Sequence, residues 1–200
     1  MASQPQSSLT HAYADWLESR VVSRWRKYFG VQLPYRWNIR RLNPGFVLDV
    51  GCGVGRNLAH LDGHGVGVDP NPDCVEAAKH RGLRAYVPQE FELAAAAEAW
   101  QFDTMLVAHV LEHVGLEASV PLVRSYLRYL KPGGRVVLIA PQEAGYRSDA
   151  THLEFMDEAK LRRLCDAVDL RVERAYSFPF PRFVGGLFTY NEFVLVAATP

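Results

Sequence analysis

Between residues 46 and 140, short apolar runs alternate five times with stretches of helical character, and the connections between them are short. No other feature narrows the fold of this chain as much. The runs FVLDV (46–50), GVGVD (65–69), LRAYV (83–87), FDTMLVA (102–108) and RVVLIA (135–140) are largely continuous rather than alternating in polarity. Continuous apolar runs of this length are expected of parallel strands covered on both faces. The segments between them carry helix punctuation. Asn71 is placed to cap a helix with Pro72 at its first position, and Gly82 to end it. A short helix is predicted from Asn57 to His60, another over FELAAAAEAW, and a third near 118–130 that runs into the KPGG turn. Strand, helix and strand repeated in this order give right-handed crossovers and a doubly wound α/β sheet.

The flanks are read from the same signals. Residues 1–8 form a polar tail. Leu9, Tyr13, Trp16, Leu17, Val21, Trp25, Tyr28 and Phe29 recur at helical spacing, so an amphipathic helix is predicted over 9–29, ended by Gly30. The following segment, VQLPYRWNIRRLNPG, reads as a connection with a turn at Asn43-Pro44-Gly45. Beyond the fifth strand, MDEAKLRRLCDAV reads as a helix. LRVERAYS and EFVLVAA read as two last strands around a Pro/Gly-rich loop, 179–186. The expected organisation is a tail and helix over 1–44, in position to act as a lid, and one α/β domain over 45–200.

Composition excludes several classes. An apolar fraction of 48% with 22% charged residues is that of an ordinary globular chain, not a disordered one. The formal net charge is zero, which gives no overall pull toward nucleic acid or an anionic membrane. Locally, Arg20, Arg24, Arg26, Lys27, Arg36, Arg40 and Arg41 crowd residues 20–41 without an acid among them. Cys52, Cys74 and Cys165 are odd in number and far apart, which argues against a disulfide framework or a structural zinc site and suits the cytoplasm. The start of the chain has no signal-peptide pattern, and no apolar run approaches the ~20 residues of a membrane span.

The first strand runs into VLDVGCGVGRN, where Gly51, Gly53 and Gly55 alternate. In an open parallel sheet, ligands bind beyond the carboxyl ends of the strands, and glycines there let a ligand approach the backbone. A dinucleotide fingerprint needs G-x-G-x-x-G, so its third glycine would fall at position 56. That position is Arg56, which weakens a nicotinamide-dinucleotide reading. Asp69 ends the second strand, where a carboxylate can accept both hydroxyls of a ribose; the alternative is an aspartate that caps the next helix.

Asp49-Val50-Gly51-Cys52-Gly53-Val54-Gly55 resembles the first motif of class I S-adenosylmethionine-dependent methyltransferases, an acid-x-G-x-G-x-G loop after a strand. AHVLEHV (108–114) and LKPGGRVVLIAP (130–141) resemble later motifs of the small-molecule branch, in the right order. The resemblance covers roughly residues 45–198. It implies a Rossmann-like, seven-stranded sheet with its last strand antiparallel and helices on both faces. It further implies S-adenosylmethionine as cofactor and S-adenosylhomocysteine as product. Asp49 and the backbone of Gly51, Cys52, Gly53 and Gly55 would then face the methionine end of the cofactor, Asp69 the ribose and Pro70 the adenine edge. Gln89 or Glu90 would meet the adenine amine, although VPQEFEL departs from the commoner Asp-containing wording. His109 would contact the methionyl part.

A sulfonium is already an activated methyl donor, so the protein must chiefly align an acceptor behind the methyl group. A base is required only where the acceptor loses a proton. His113 and His152 are the candidates, with His109 a third; the alternatives are that His113 fixes its loop and His152 caps the following helix. Glu112 is placed to orient His113 or to be solvated. His11, His60, His64 and His80 read as surface residues, and no cluster has metal-ligand spacing. Phe178, Phe180 and Phe183 line a pocket or pack in the core. The expected activity is methyl transfer to an oxygen or nitrogen of a small molecule. The alternatives are an RNA or protein methyltransferase that uses the basic segment, and a cofactor-binding module without turnover.

Overall fold

The computed structural model describes residues 29–98 and 101–200, so the predicted helix over 9–29 lies outside the described residues but for its last position. The strands follow the order β3-β2-β1-β4-β5-β7-β6 in a seven-stranded sheet. Two compact units divide the chain, Met1–Trp100 and Gln101–Pro200.

The first unit opens with α1 (Phe29–Arg41), in the segment read above as a connection. Pro34, a residue type that usually breaks a helix, sits inside this one. Asn38, Ile39 and Leu42 are buried, and Arg40 and Arg41 lie in the last turn, where cations suit the helix dipole. Burial of one face outweighs the hydrogen bond lost at Pro34. Next come β1 (Val47–Val50), α2 (Arg56–His60), β2 (Gly65–Val68), α3 (Pro72–His80), β3 (Ala85–Tyr86) and α4 (Pro88–Glu98). β1 pairs with β2 in parallel, Asp49 opposite Gly67, and β2 with β3, Gly67 opposite Ala85. Every residue of β1 and β2 is buried, as their continuous apolar runs require. The Asn71 side chain accepts the Asp73 N–H at 3.0 Å, with Pro72 in the first turn, so α3 begins where its cap predicted. The third strand is shorter than LRAYV: only Ala85 and Tyr86 pair.

The second unit holds β4 (Phe102–Ala108), α5 (Leu111–Leu127), β5 (Leu130–Pro141), α6 (Glu143–Arg147), α7 (Glu158–Ala167), β6 (Arg171–Phe178), a 3-10 turn (Arg182–Gly186) and β7 (Glu192–Ala198). β4 and β5 are parallel, and β7 runs antiparallel between β5 and β6, as the resemblance implied. In β5, KPGG forms an irregularity: the partners step from Phe102–Leu130 to Thr104–Arg135. Helix α5 starts earlier than the 118–130 pattern because LEHV forms a turn of its own. Gly115, at φ 79° and ψ 169°, separates that turn from the rest of the helix. Phe102, Met105, Leu111, Leu138, Leu161, Leu164 and Leu195 are fully buried between strands and helices. Burial of each is worth ~1.5–3 kcal/mol. Among the described residues no helix is long and apolar enough to cross a membrane.

Candidate functional site

In the first unit the glycine loop leaves β1 and enters α2. The Gly51 and Cys52 N–H groups both donate to the Val68 carbonyl, at 2.7 and 3.1 Å, which folds the loop back over the end of β2. The Gly53 N–H donates to Asp69 Oδ2 at 2.8 Å, and the Asn71 N–H to Asp69 Oδ1 at 2.9 Å. Asp69 therefore ties the glycine loop to the start of α3, and each of its oxygens keeps a lone pair for a further donor. Gly55 is required twice over. Its φ is 77°, and a Cβ there would collide with Leu83 Cδ1.

Asp49 is the unusual residue of this unit. It lies within β1 with no exposed surface, and neither carboxylate oxygen has a hydrogen bond of good geometry. Burial pushes its pKa up to about 7, against the lowering influence of Asn57 and Arg56 and with a smaller push from Asp69. A carboxylate so placed costs several kcal/mol to keep ionised unless a cation reaches it.

The Cys52 side chain turns away from the loop into a core cluster with Leu58, Val75, Ala78 and Ala85. A Cβ on Gly67 would meet its sulfur at 2.5 Å, and burial raises the thiol pKa well above its usual value. Only the Cys52 backbone is available to a ligand. Pro70, Gln89 and Glu90 are all exposed; Gln89 and Glu90 lie in the first turn of α4, and Glu90 faces Lys79 Nζ at 3.6 Å. His60, expected at the surface, is half-buried, and its Nδ1 has no hydrogen-bond partner.

In the second unit, five titratable side chains gather around the turn that follows β4. His109, at φ 60°, brings Nε2 to Glu192 Oε1 at 2.7 Å and Nδ1 to Glu112 Oε1 at 3.4 Å. Burial works against a charged ring there, but Glu192 and then Glu112 outweigh it and hold the His109 pKa up at about 9. Glu112 is fully buried, and neither of its oxygens has a hydrogen bond of good geometry. His113 and His152 meet edge to face with ring centroids 4.7 Å apart. His113 Nδ1 faces the Thr151 carbonyl at 3.2 Å and hydroxyl at 3.1 Å, and His152 Nδ1 faces the Tyr146 carbonyl at 2.7 Å. His152 Nε2 lies 3.9 Å from Glu112 Oε1. The His113 pKa is lowered, first by burial and then by His152, against Glu112 and the Thr151 carbonyl.

The loop before α7 makes this gathering possible. The Leu153 and Glu154 N–H groups both donate to the Glu112 carbonyl, at 2.8 and 3.1 Å. Glu154 Oε2 accepts the Leu116 N–H, freed by the break at Gly115, at 2.8 Å. The His152 side chain does not cap α7; Asp157 does, accepting the Lys160 N–H at 2.9 Å. Sequence reading found no metal-ligand spacing because Glu112 and His113 are far from His152 along the chain. The fold brings a donor atom of each within 4.8 Å of the others. Glu192 was not anticipated at all: it sits in a strand with no motif around it. Phe178 is buried, but Phe183 is 82% exposed, so the three phenylalanines do not share one environment.

Residues 24–175 match the family described as "Methyltransferase domain". A ubiquinone biosynthesis O-methyltransferase of Serratia proteamaculans is 32% identical over 154 residues, which is 68% of this chain and 62% of that protein. One of the same name from Xanthomonas oryzae pv. oryzae is 35% identical over 100 residues, 46% of this chain and 41% of that protein. The chain thus spans less than two thirds of the length of these relatives. A SAM-dependent methyltransferase of Archaeoglobus fulgidus superposes with a TM-score of 0.67 at 18% identity, covering 92% of this chain and 99% of that one. The magnesium protoporphyrin IX methyltransferase of Synechocystis PCC 6803, solved with bound SAH, gives 0.62 at 16% identity, covering 94% and 98%. These two structures share the fold. Matched over most of its length by the family description, the chain belongs to the methyltransferase-domain family.

Proposed function

We propose that this chain is an S-adenosylmethionine-dependent methyltransferase that moves a methyl group to an oxygen or nitrogen of a small-molecule acceptor. The observation that carries the reading is Asp49, a buried carboxylate beside a glycine loop, with no hydrogen bond of good geometry and only Asn57 and Arg56 to offset its burial. A cofactor with a cationic ammonium and sulfonium at its amino-acid end supplies the charge that Asp49 lacks. A dinucleotide would bring an anionic pyrophosphate to the same place, which Asp49 repels. Asp69 takes the ribose hydroxyls on the lone pairs left by Gly53 and Asn71. The Gly51, Cys52, Gly53 and Gly55 backbone lets the cofactor lie close, Pro70 borders the adenine edge, and Gln89 or Glu90 meets the adenine amine.

When bound, the cofactor supplies a methyl group already activated for displacement. The chain's own work is to hold the acceptor in line and to receive its proton. His113 and His152 have Nδ1 turned to oxygen atoms, which leaves Nε2 of each for the acceptor proton. His109 is clamped by Glu192, and by the resemblance it is the residue that would meet the methionyl part. The relatives named as ubiquinone biosynthesis O-methyltransferases favour an oxygen acceptor. Three free cysteines suit the cytoplasm.

Titration calorimetry tests the cofactor. S-adenosylmethionine and S-adenosylhomocysteine are expected to bind and NAD to give no heat. Asp69→Ala is expected to weaken S-adenosylhomocysteine by ~10-fold or more, the worth of a charged hydrogen bond. A preference for NAD overturns the proposal, and unchanged affinity in Asp69→Ala removes that residue from the ribose. An acceptor screen for methyl transfer separates an enzyme from a binding module.

A further inference from the structure

We infer that Glu112, His113 and His152 form a binding site for a divalent transition-metal ion, with a coordination position left open for an oxygen of the methyl acceptor. One donor atom from each of the three side chains lies within 4.8 Å of the others. In a tetrahedral site with ligands at 2.0–2.1 Å, the donor atoms stand ~3.3 Å apart. Small side-chain rotations close that difference around an ion.

Three features separate this group from a chance cluster. Glu112 has no exposed surface, yet neither of its oxygens has a hydrogen bond of good geometry, and Oε2 has no partner. His109 Nδ1 approaches only Oε1, at 3.4 Å, and Glu192 already takes the other nitrogen of that ring at 2.7 Å. A buried carboxylate left in this state is the exception in folded proteins and needs an explanation. Both histidines, moreover, have Nδ1 oriented by oxygen: His113 by the Thr151 carbonyl and hydroxyl, and His152 by the Tyr146 carbonyl. Ligating histidines show this arrangement, because the outer hydrogen bond fixes the tautomer that leaves Nε2 free for the ion. Finally, the three ligands sit on rigid supports. Glu112 and His113 belong to the first turn of α5, and two backbone hydrogen bonds to the Glu112 carbonyl strap the His152 segment to that turn.

Two imidazoles and one carboxylate favour zinc, cobalt, iron or nickel over magnesium or calcium, which prefer all-oxygen sites. Three protein ligands leave a position open, as in catalytic rather than structural sites. Binding of the ion stands on this geometry alone. Its purpose rests on the methyl-transfer reading: an acceptor hydroxyl in the open position loses its proton to solvent and remains on the ion as an oxyanion, with no change of oxidation state. The acceptor class is then a hydroxyl compound, and the ion takes over the deprotonation assigned above to the imidazoles.

The test uses cobalt(II) alone with the full chain, purified and stripped with chelator. Expected are one equivalent of cobalt per chain after dialysis, by elemental analysis, and visible d–d bands of a nitrogen- and oxygen-ligated ion. Glu112→Gln, His113→Gln and His152→Gln should each weaken cobalt binding at least ~10-fold, as loss of one ligand does. Circular dichroism of all three variants, and S-adenosylhomocysteine binding by His113→Gln and His152→Gln, should stay unchanged, which shows that the variants are folded. Failure of the stripped wild-type chain to retain cobalt overturns the inference, as does equal retention by three folded variants. Cobalt binding without any cofactor binding would leave the metal site standing and overturn the methyltransferase reading. Metal-independent methyl transfer without cobalt binding would do the reverse.

Discussion

Asp49 shows how much one residue type can mean once its surroundings are known. In the sequence it is an acid ahead of three glycines. In the structure it is a carboxylate that burial holds near a pKa of about 7, so at neutral pH the free protein keeps much of it protonated. A cationic ligand binds the ionised form. Affinity for S-adenosylhomocysteine is therefore expected to be highest near pH 8, where Asp49 is ionised and the ligand ammonium still charged, and to fall below pH 7, approaching about tenfold per pH unit. Calorimetry across that range checks it, and Asp49→Asn should bind more weakly with a flatter profile; a flat wild-type profile would remove Asp49 from the cationic end. His60 has the opposite character. Burial, and then Arg56, Arg36, Arg40 and Arg81, lower its pKa to about 4, so the folded state resists taking up a proton. Between pH 6.5 and 4 the unfolded chain binds the proton that the folded one refuses, and stability falls as the pH falls. His60→Gln is expected to recover on the order of 2 kcal/mol at pH 4.5 relative to pH 7.5, as read by urea unfolding at both pH values.

At the scale of elements, the decisive device in the second unit is the break in α5. Gly115 adopts a backbone conformation open to glycine alone, and a Cβ would lie 2.7 Å from Glu154 Oε2, the oxygen that takes up the freed Leu116 N–H. Gly115→Ala is expected to cost ~1–3 kcal/mol in urea unfolding and to loosen the strap that carries His152. A variant as stable as the parent would show that the turn and the helix can merge. Element boundaries were legible where local chemistry sets them: Asn71 and Pro72 start α3 because the cap is a contact between near neighbours. They were not legible at α1, where Pro34 signals a break and burial of Asn38, Ile39 and Leu42 overrides it. The turn at LEHV was likewise hidden, since Glu154, which secures it, comes from a distant segment.

For the whole molecule, zero net charge and the pairing of Arg36, Arg40 and Arg41 bear on the choice of acceptor, while Arg20, Arg24, Arg26 and Lys27 lie outside the described residues. Arg36 and Arg40 both pair with Asp62, and Arg41 stacks on Trp37 with its guanidinium 4.6 Å from the ring centroid. These cations are engaged within the protein. Filter binding with labelled RNA should accordingly show no retention at 0.15 M salt. Retention with a steep salt dependence would revive the nucleic-acid reading. The alternation of strands and helices, the glycine loop and the acids at 49 and 69 could be read without coordinates. Each depends on residues close in sequence, whose propensities and spacing act locally. The isolation of Asp49, the gathering of Glu112, His113 and His152, and the clamp of Glu192 on His109 belong to the tertiary structure alone. Burial and long-range contact create those states, and neither is written in the spacing of residues along the chain.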